Sequence, residues 1–138
     1  MDVLFVIGRI LFALVFLGSA VAHLTDKGEM AGYAESRGVK PGRPAVLVSG
    51  VVILVGAVLV VLGLWIDVGA ILLGLFTLST AVLMHNFWTE KKSQARQTEM
   101  IQFMKDLALT GAAVILLYLA WSLDGGGGLT ITGPLFNA

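Results

Sequence analysis

The chain has 138 residues, of which 57% are hydrophobic and 13% are charged, about half the charged share that is usual in soluble domains. Nine Lys and Arg balance nine Asp and Glu, so no basic surface for nucleic acid is expected. The sequence contains no cysteine, which excludes disulfides, thiol nucleophiles and Cys-type zinc or iron–sulfur sites, and its mean hydropathy of +0.92 indicates an integral membrane protein.

Four long apolar runs predict membrane-spanning helices at about 3–24, 45–64, 68–84 and 107–123. A helix crosses the hydrocarbon layer in about 20 residues, and backbone groups in lipid must hydrogen-bond within their own segment. We therefore expect an all-α fold, an integral membrane four-helix bundle formed by residues 1–124. The Gly-rich stretch that follows predicts a flexible outer tail over 125–138. Its last part, 129–138, is apolar for an exposed end, so it either folds back on the outer face or docks on a neighbour.

The two long segments between these runs carry their own helical signals. In the first, a short helix is expected at Glu29–Ser36, with Gly38 as its stop. In the second, apolar side chains recur at helical spacing, so the last helix is expected to begin near Gln94 as an amphipathic stretch. We favour packing of this stripe on the mouth of the bundle, and docking of a partner protein is the alternative; its candidate residues are Met100, Phe103 and Met104.

The distribution of basic residues predicts the orientation. All of the nine Lys and Arg except Arg9 fall in the links 25–44 and 85–106. The positive-inside rule then places both links in the cytoplasm and both termini outside, in a multi-pass protein of the cell (inner or plasma) membrane.

Arg9 is the first candidate functional residue. A guanidinium within a span costs about 2.5–3.5 kcal/mol on insertion scales unless it finds a partner or water. A structural ion pair with Asp67 or Asp124 is the favoured explanation, because both acids belong to the same predicted face. The functional alternative is a contact to an anion or to a quinone carbonyl.

His23 and His85 are the second candidates, because they lie at the ends of spans one and three and at matching depth. With Asp26 and Glu90 nearby they could form a metal or haem site, or hydrogen-bond a quinone headgroup, or play an inert capping role. No ligand-spacing motif surrounds them. We therefore assign no metal, expect no cofactor and do not expect haem, and a quinone remains the ligand class to consider.

No catalytic arrangement can be recognised in the remaining polar residues. The sequence shows no Ser/His/Asp set, no phosphate-binding Gly loop and no paired carboxylates, and Tyr33 and Tyr118 have no base at diagnostic spacing. The four apolar runs also lack Asp, Glu and Lys, which argues against a proton relay. Whether the chain is an enzyme stays open, with a non-catalytic subunit favoured.

Several short motifs, spread over about residues 4–122, together form a pattern that is typical of one protein family. They are Gly8-Arg9-Ile10-Leu11, Phe16-Leu17-Gly18-Ser19, His23-Leu24, Tyr33, Gly38, Gly56, Gly63-Leu64, Met84-His85-Asn86-Phe87-Trp88 and the run from Glu99 to Gly111. In these motifs the chain resembles the DoxX family of small four-helix membrane proteins. It departs from the family pattern at Ile53, where a Glu is frequent, and at Asp106, where an Asn is usual; the first departure argues against a proton-coupled role.

The resemblance implies an accessory or scaffold subunit of a membrane-associated redox or respiratory complex. The first alternative it implies is the membrane subunit of a thiosulfate:quinone-type oxidoreductase with a quinone pocket, and the second is a membrane assembly factor or chaperone. The partners expected on this basis are the lipid bilayer, other membrane or redox proteins and further copies of the chain.

Overall fold

The computed structural model describes residues 2–123 and 129–136 and shows a helical protein, with no strand in either stretch. The helices are α1 (Asp2–Leu24), α2 (Glu29–Ser36), α3 (Gly42–Leu62), α4 (Ile66–Met84) and α5 (Ser93–Ser122), and a single 3-10 turn lies at Phe87–Thr89. Four of them, α1, α3, α4 and α5, are long and apolar enough to cross a membrane. The all-α, four-helix membrane fold is thus confirmed.

The helix boundaries follow the sequence signals closely. The short helix at Glu29–Ser36 is confirmed, and the last helix begins at Ser93, beside the predicted Gln94. The long helices begin before the predicted spans, since α3 already begins at Gly42 and α5 has an amphipathic first part, whereas α3 ends at Leu62, before the predicted 64. Helical backbone hydrogen bonds do not require apolar side chains, so a helix can begin before the apolar segment that crosses the membrane.

In the bundle, α1 packs on α3, α3 on α4 and α4 on α5, and α2 packs against α3. Small and branched side chains fill the interfaces, and the buried core comprises Ala13, Phe16, Ala20, Ile53, Ala57, Val60, Ile66, Ala70, Leu73, Leu116 and Ala120. At the α3–α4 contact, a Cβ on Gly69 would lie 2.9 Å from the carbonyl oxygen of Gly56. Glycine at this point allows the two backbones to approach closely.

The outward faces of the long helices carry large apolar side chains that the protein itself leaves uncovered. Examples with more than half of their surface exposed are Val3, Leu4, Leu11, Leu14, Val48, Leu75, Val114 and Ile115. An apolar surface of this extent is costly in water and is favourable against lipid. Together with the four long helices, it describes a multi-pass membrane protein.

The two ends of the bundle differ, and we name them by what connects the helices there. The link end contains the segments 25–41 and 85–92, which join α1 to α3 and α4 to α5. The tail end contains the turn 63–65 between α3 and α4 and the described part of the tail, 129–136.

The segment 129–136 is hydrogen-bonded to the tail end of the bundle. Gly63 turns the chain with φ +68°, and its carbonyl oxygen accepts the N–H of Ile131 at 2.8 Å and that of Thr132 at 3.3 Å. The buried carboxylate of Asp67 accepts two more N–H bonds, from Leu135 at 3.0 Å and Phe136 at 2.8 Å.

These contacts bear on the flexible tail that we predicted for 125–138. Residues 125–128 and 137–138 lie outside the described residues, so for them the prediction stays a prediction. The stretch 129–136 is instead bound to the bundle, because a buried carboxylate needs hydrogen-bond donors and the tail backbone supplies them.

We predict that Asp67→Asn loosens this segment. An amide oxygen replaces one carboxylate oxygen, and the new NH₂ group faces a backbone N–H, so at least one charge-assisted bond of about 1.5–3 kcal/mol is lost. In detergent-solubilised protein, chymotrypsin should then cleave at Leu135 or Phe136 at least several-fold faster, as measured by mass spectrometry of the C-terminal fragments. Glu90→Gln, which makes the same charge change at the link end, is the control, and equal cleavage rates in all three proteins would contradict the assignment.

Candidate functional site

A cavity of about 550 Å³ lies at the link end, with walls contributed by α1, α2, α3, α4 and α5. Its volume is within the range of small-molecule sites, about 300–1,000 Å³. The wall is mostly apolar, and the side chains that line it include Met30, Val39, Val46, Phe76, Leu83 and Met84. A few polar groups are set into this apolar surface, as in most ligand sites, and they determine what the cavity can bind.

His23 lies in the last turn of α1 and is held by α3. Its Nδ1 is 2.8 Å from the Ser49 hydroxyl oxygen and 3.3 Å from the Val46 carbonyl oxygen. The Ser49 hydroxyl itself donates to the Val46 carbonyl, at 2.9 Å. Both oxygens near Nδ1 are therefore available as acceptors, which assigns the proton to Nδ1 and leaves Nε2 as an acceptor in the neutral ring.

The position of His23 follows from close helix packing. A Cβ on Gly50 would lie 2.9 Å from the Cβ of His23, so only glycine lets α1 and α3 approach this closely. The ring also packs edge-on against Phe76 of α4, with 5.8 Å between the ring centroids.

Asp26, considered above as a partner of His23, instead caps α2. Its carboxylate accepts the backbone N–H groups of Met30 at 3.0 Å, Gly28 at 3.1 Å and Ala31 at 3.3 Å. These bonds, that of Met30 first, lower the pKa of the Asp26 carboxyl. The start of a helix needs such acceptors for its free N–H groups, and this local demand determines where the carboxylate lies.

His85 directly follows α4 and is bound to α5. Its Nδ1 lies 2.8 Å from Oε2 of Glu99, and its Nε2 lies 3.7 Å from Oδ2 of Asp106. Glu90, the nearer carboxylate in sequence, forms an ion pair with Arg37 at 2.9 Å instead. The imidazole is thus held by Glu99 and lies near Asp106, both on the last helix.

Around Glu99 a polar network joins α2, the second link and α5. The Arg37 guanidinium lies 2.9 Å from Glu99 Oε1 and 2.8 Å from Asn86 Oδ1. The Tyr33 phenol lies 2.9 Å from Glu99 Oε1 and 3.0 Å from the Met84 carbonyl oxygen, so two acceptors share its single proton. Two causes raise the pKa of the Tyr33 hydroxyl. The larger is partial burial, and the second is the hydrogen bond to the Glu99 carboxylate.

Asp106 of α5 lines the cavity, together with its neighbour Lys105. Asp106 is only 5% exposed, and its Oδ1 lies 3.5 Å from the Lys105 ammonium. Its Oδ2 is buried and has no hydrogen-bond partner among residues 2–123 and 129–136. A buried acceptor of this kind is uncommon in folded proteins and calls for an explanation.

The candidates of the sequence analysis are therefore divided between the two ends. His23 and His85 line the same cavity, as their matching depth suggested. Arg9 lies at the tail end, where it is buried and donates from Nη2 to the Leu129 carbonyl at 3.0 Å. It lines a separate cleft of about 270 Å³ between α1 and α5. Contact of any of the three with a quinone or another polar ligand stays a prediction.

The ion pair expected for Arg9 is not formed with Asp67, whose carboxylate is bound to the backbone of the tail. Asp124, the other partner considered, lies outside the described residues. The Arg9 guanidinium also lies over the Phe5 ring, 5.2 Å from its centroid. Such a position stabilises the cation without an acidic partner.

The predicted apolar stripe of α5 is not one uniform surface. Met100 and Met104 are 43% and 57% exposed, whereas Phe103 packs against Phe87 and Trp88, at 5.4 and 5.7 Å between ring centroids. Packing on the mouth of the bundle thus accounts for Phe103, and docking of a partner on Met100 and Met104 stays a prediction.

Sequence reasoning missed the polar network and Asp106. Tyr33 and Glu99 are 66 positions apart, so no local spacing could join them. Asp106 had a signal of its own, because a carboxylate directly before an apolar run in a membrane helix is costly and usually has a function.

We predict that Tyr33→Phe destabilises the fold in detergent by about 1 kcal/mol, since one hydrogen bond is lost. The raised pKa of Tyr33 adds a pH dependence. The stabilisation is complete below the ordinary tyrosine pKa, near 10, and is lost as the pH rises through the higher pKa of the folded state. Thermal unfolding measured across this pH range should therefore show a smaller alkaline loss of stability in Tyr33→Phe than in the parent. Tyr118→Phe is the matched control, and a parent-like alkaline loss in Tyr33→Phe would contradict the network.

Comparison with known proteins agrees with the motifs. The DoxX family model matches residues 4–86, which is more than half of the chain. The Inner membrane protein YphA of Escherichia coli (strain K12) is 30% identical over 114 residues, covering 83% of this chain and 81% of its own. No solved structure matches significantly. The matched segment contains α1 to α4 and both histidines of the cavity, and on this basis the chain belongs to the DoxX family.

Proposed function

We propose that this DoxX-family protein is a membrane subunit of a redox or respiratory complex and that its link-end cavity binds a quinone. The observation that carries the proposal is a single cavity of about 550 Å³ lined by both His23 and His85. The protein has no cysteine to carry sulfur covalently, so in a sulfur-oxidising complex a partner subunit would perform that step.

The chemistry of the wall suits a quinone. Apolar side chains such as Phe76 and Met84 can cover the ring and the start of its tail, and burial of apolar surface supplies most of the affinity in sites of this kind. Polar groups in the same wall can hydrogen-bond to the carbonyl oxygens of the quinone. Lys105 and the Ser79 hydroxyl are donors, and His85 Nε2 is a donor or an acceptor according to its protonation.

The direct test is quinone binding to the purified protein. We expect a decyl-substituted benzoquinone to quench the tryptophan fluorescence saturably in mild detergent. His85→Ala should weaken this binding about tenfold, the equivalent of one lost hydrogen bond of about 1.4 kcal/mol. Thr98→Ala, on α5 and outside the cavity wall, is the control. Unchanged affinity in His85→Ala would contradict the proposed site. A Soret band in the absorption spectrum of the purified protein would identify haem, instead of a quinone, as the ligand.

The role in a complex has its own test. We place the link end at the cytoplasmic face, because the links carry all of the Lys and Arg except Arg9, and a soluble partner would therefore dock there. Gentle extraction from native membranes should recover a respiratory or redox protein with the chain. Recovery of a monodisperse homo-oligomer alone would contradict the subunit role while leaving the quinone site to its own measurement.

A further inference from the structure

We propose that the link-end cavity selects the reduced, hydroxyl-bearing form of its ligand, a quinol, over the quinone, and that Asp106 makes this selection. The inference rests on the proposed function for the ligand class. It goes further in naming the redox form that binds and the residue that distinguishes it.

The observation behind it is the unsatisfied carboxylate oxygen in the cavity wall. Asp106 is 5% exposed and lines the cavity, and its Oδ2 has no hydrogen-bond partner within the described parts of the chain. The nearest basic groups are the Lys105 ammonium, 3.5 Å from Oδ1, and Nε2 of His85, 3.7 Å from Oδ2. The second distance is too long for a direct hydrogen bond.

A buried carboxylate oxygen in this state requires a donor. A ligand hydroxyl would supply one in a short, charge-assisted O–H···O⁻ bond, which is roughly twice as strong as a neutral bond. A quinone offers only carbonyl lone pairs, and these would be repelled by the carboxylate. An organic cation would also satisfy Oδ2, but it would be repelled by the Lys105 ammonium, which lies 3.5 Å from Oδ1 of the same carboxyl group.

The same place can also satisfy the oxygen of that hydroxyl. Because Nε2 of His85 and Oδ2 of Asp106 are 3.7 Å apart, one oxygen atom can lie within hydrogen-bond distance of both. It would donate to Asp106 and would accept from Lys105, or from His85 when the ring is doubly protonated. A quinol hydroxyl, which is both donor and acceptor, fits this pair of partners, and a quinone carbonyl fits only the donors.

The experiment compares the two redox forms of one probe. A decyl-substituted benzoquinone and its quinol are titrated anaerobically into the same detergent-solubilised protein at one pH. We expect the quinol to bind about tenfold to a hundredfold more tightly than the quinone, as for a hydrogen bond to a buried charged acceptor. In Asp106→Asn the preference should fall to less than about threefold, because the amide can donate to a carbonyl as well as accept from a hydroxyl.

Two further variants make the result specific. Glu90→Gln changes one charge at the link end outside the cavity wall and should keep the parental preference. Asp106→Glu retains a carboxylate and should keep a preference for the quinol, which provides a second measurement if Asp106→Asn does not fold. Folding of each variant is checked by helical circular dichroism.

Each outcome has a distinct meaning. Equal affinity of the two forms in the parent protein, or an undiminished preference in folded Asp106→Asn, overturns the inference and leaves the quinone site standing. Binding of neither form overturns the proposed function itself. Displacement of bound quinol by an alkyl ammonium of similar length would show that Asp106 selects a cation and would also overturn the inference.

Discussion

The fold depends on one constraint, which is that every polar group removed from water in an apolar bundle needs a partner inside the protein or in a ligand. Two buried carboxylates illustrate the two ways of meeting it. Asp67 at the tail end has both oxygens bound to the backbone of the chain's own tail. Asp106 at the link end has one oxygen near Lys105 and one without a hydrogen-bond partner in the part of the chain that the structure describes. The first has both oxygens occupied within the chain, and the second presents one acceptor to the cavity.

The link end is built by the same need for partners. Glu99 accepts from Tyr33, Arg37 and His85, so a single carboxylate connects α2 and the residue after α4 to the last helix. A short helix such as α2 is marginal in isolation, and it is stabilised here by its Asp26 cap and by burial of Ala31 and Ala34 against α3. The short helix α2, which forms part of the cavity wall, is thus held by hydrogen bonds both to the last helix and at its own start.

Much of this architecture could be predicted from the sequence, because composition and helical spacing act locally. Apolar length predicts the spans, and Gly38 predicts where α2 ends. The equal depth of His23 and His85 predicts one shared site, since both close a span at the same end. What failed depends on side-chain direction across helices. Arg9 and Asp67 belong to one end, yet Asp67 is bound by backbone N–H groups of the tail, which the sequence pattern did not assign to it.

The same reasoning separates the structural polar groups from the candidate functional ones. Asp26, Asp67 and Glu99 each have their acceptors occupied by groups of the same chain, so their effect on ligand binding is indirect. His23 uses Nδ1 for its hydrogen bond to Ser49 of α3, which leaves Nε2 as an acceptor. Asp106 has a free acceptor in Oδ2 among the described residues, and both side chains line the cavity. Polar groups that are available for hydrogen bonding within an otherwise apolar wall give a site its specificity. In this protein they occur together at the link end, next to the segments that carry almost all of its basic charge.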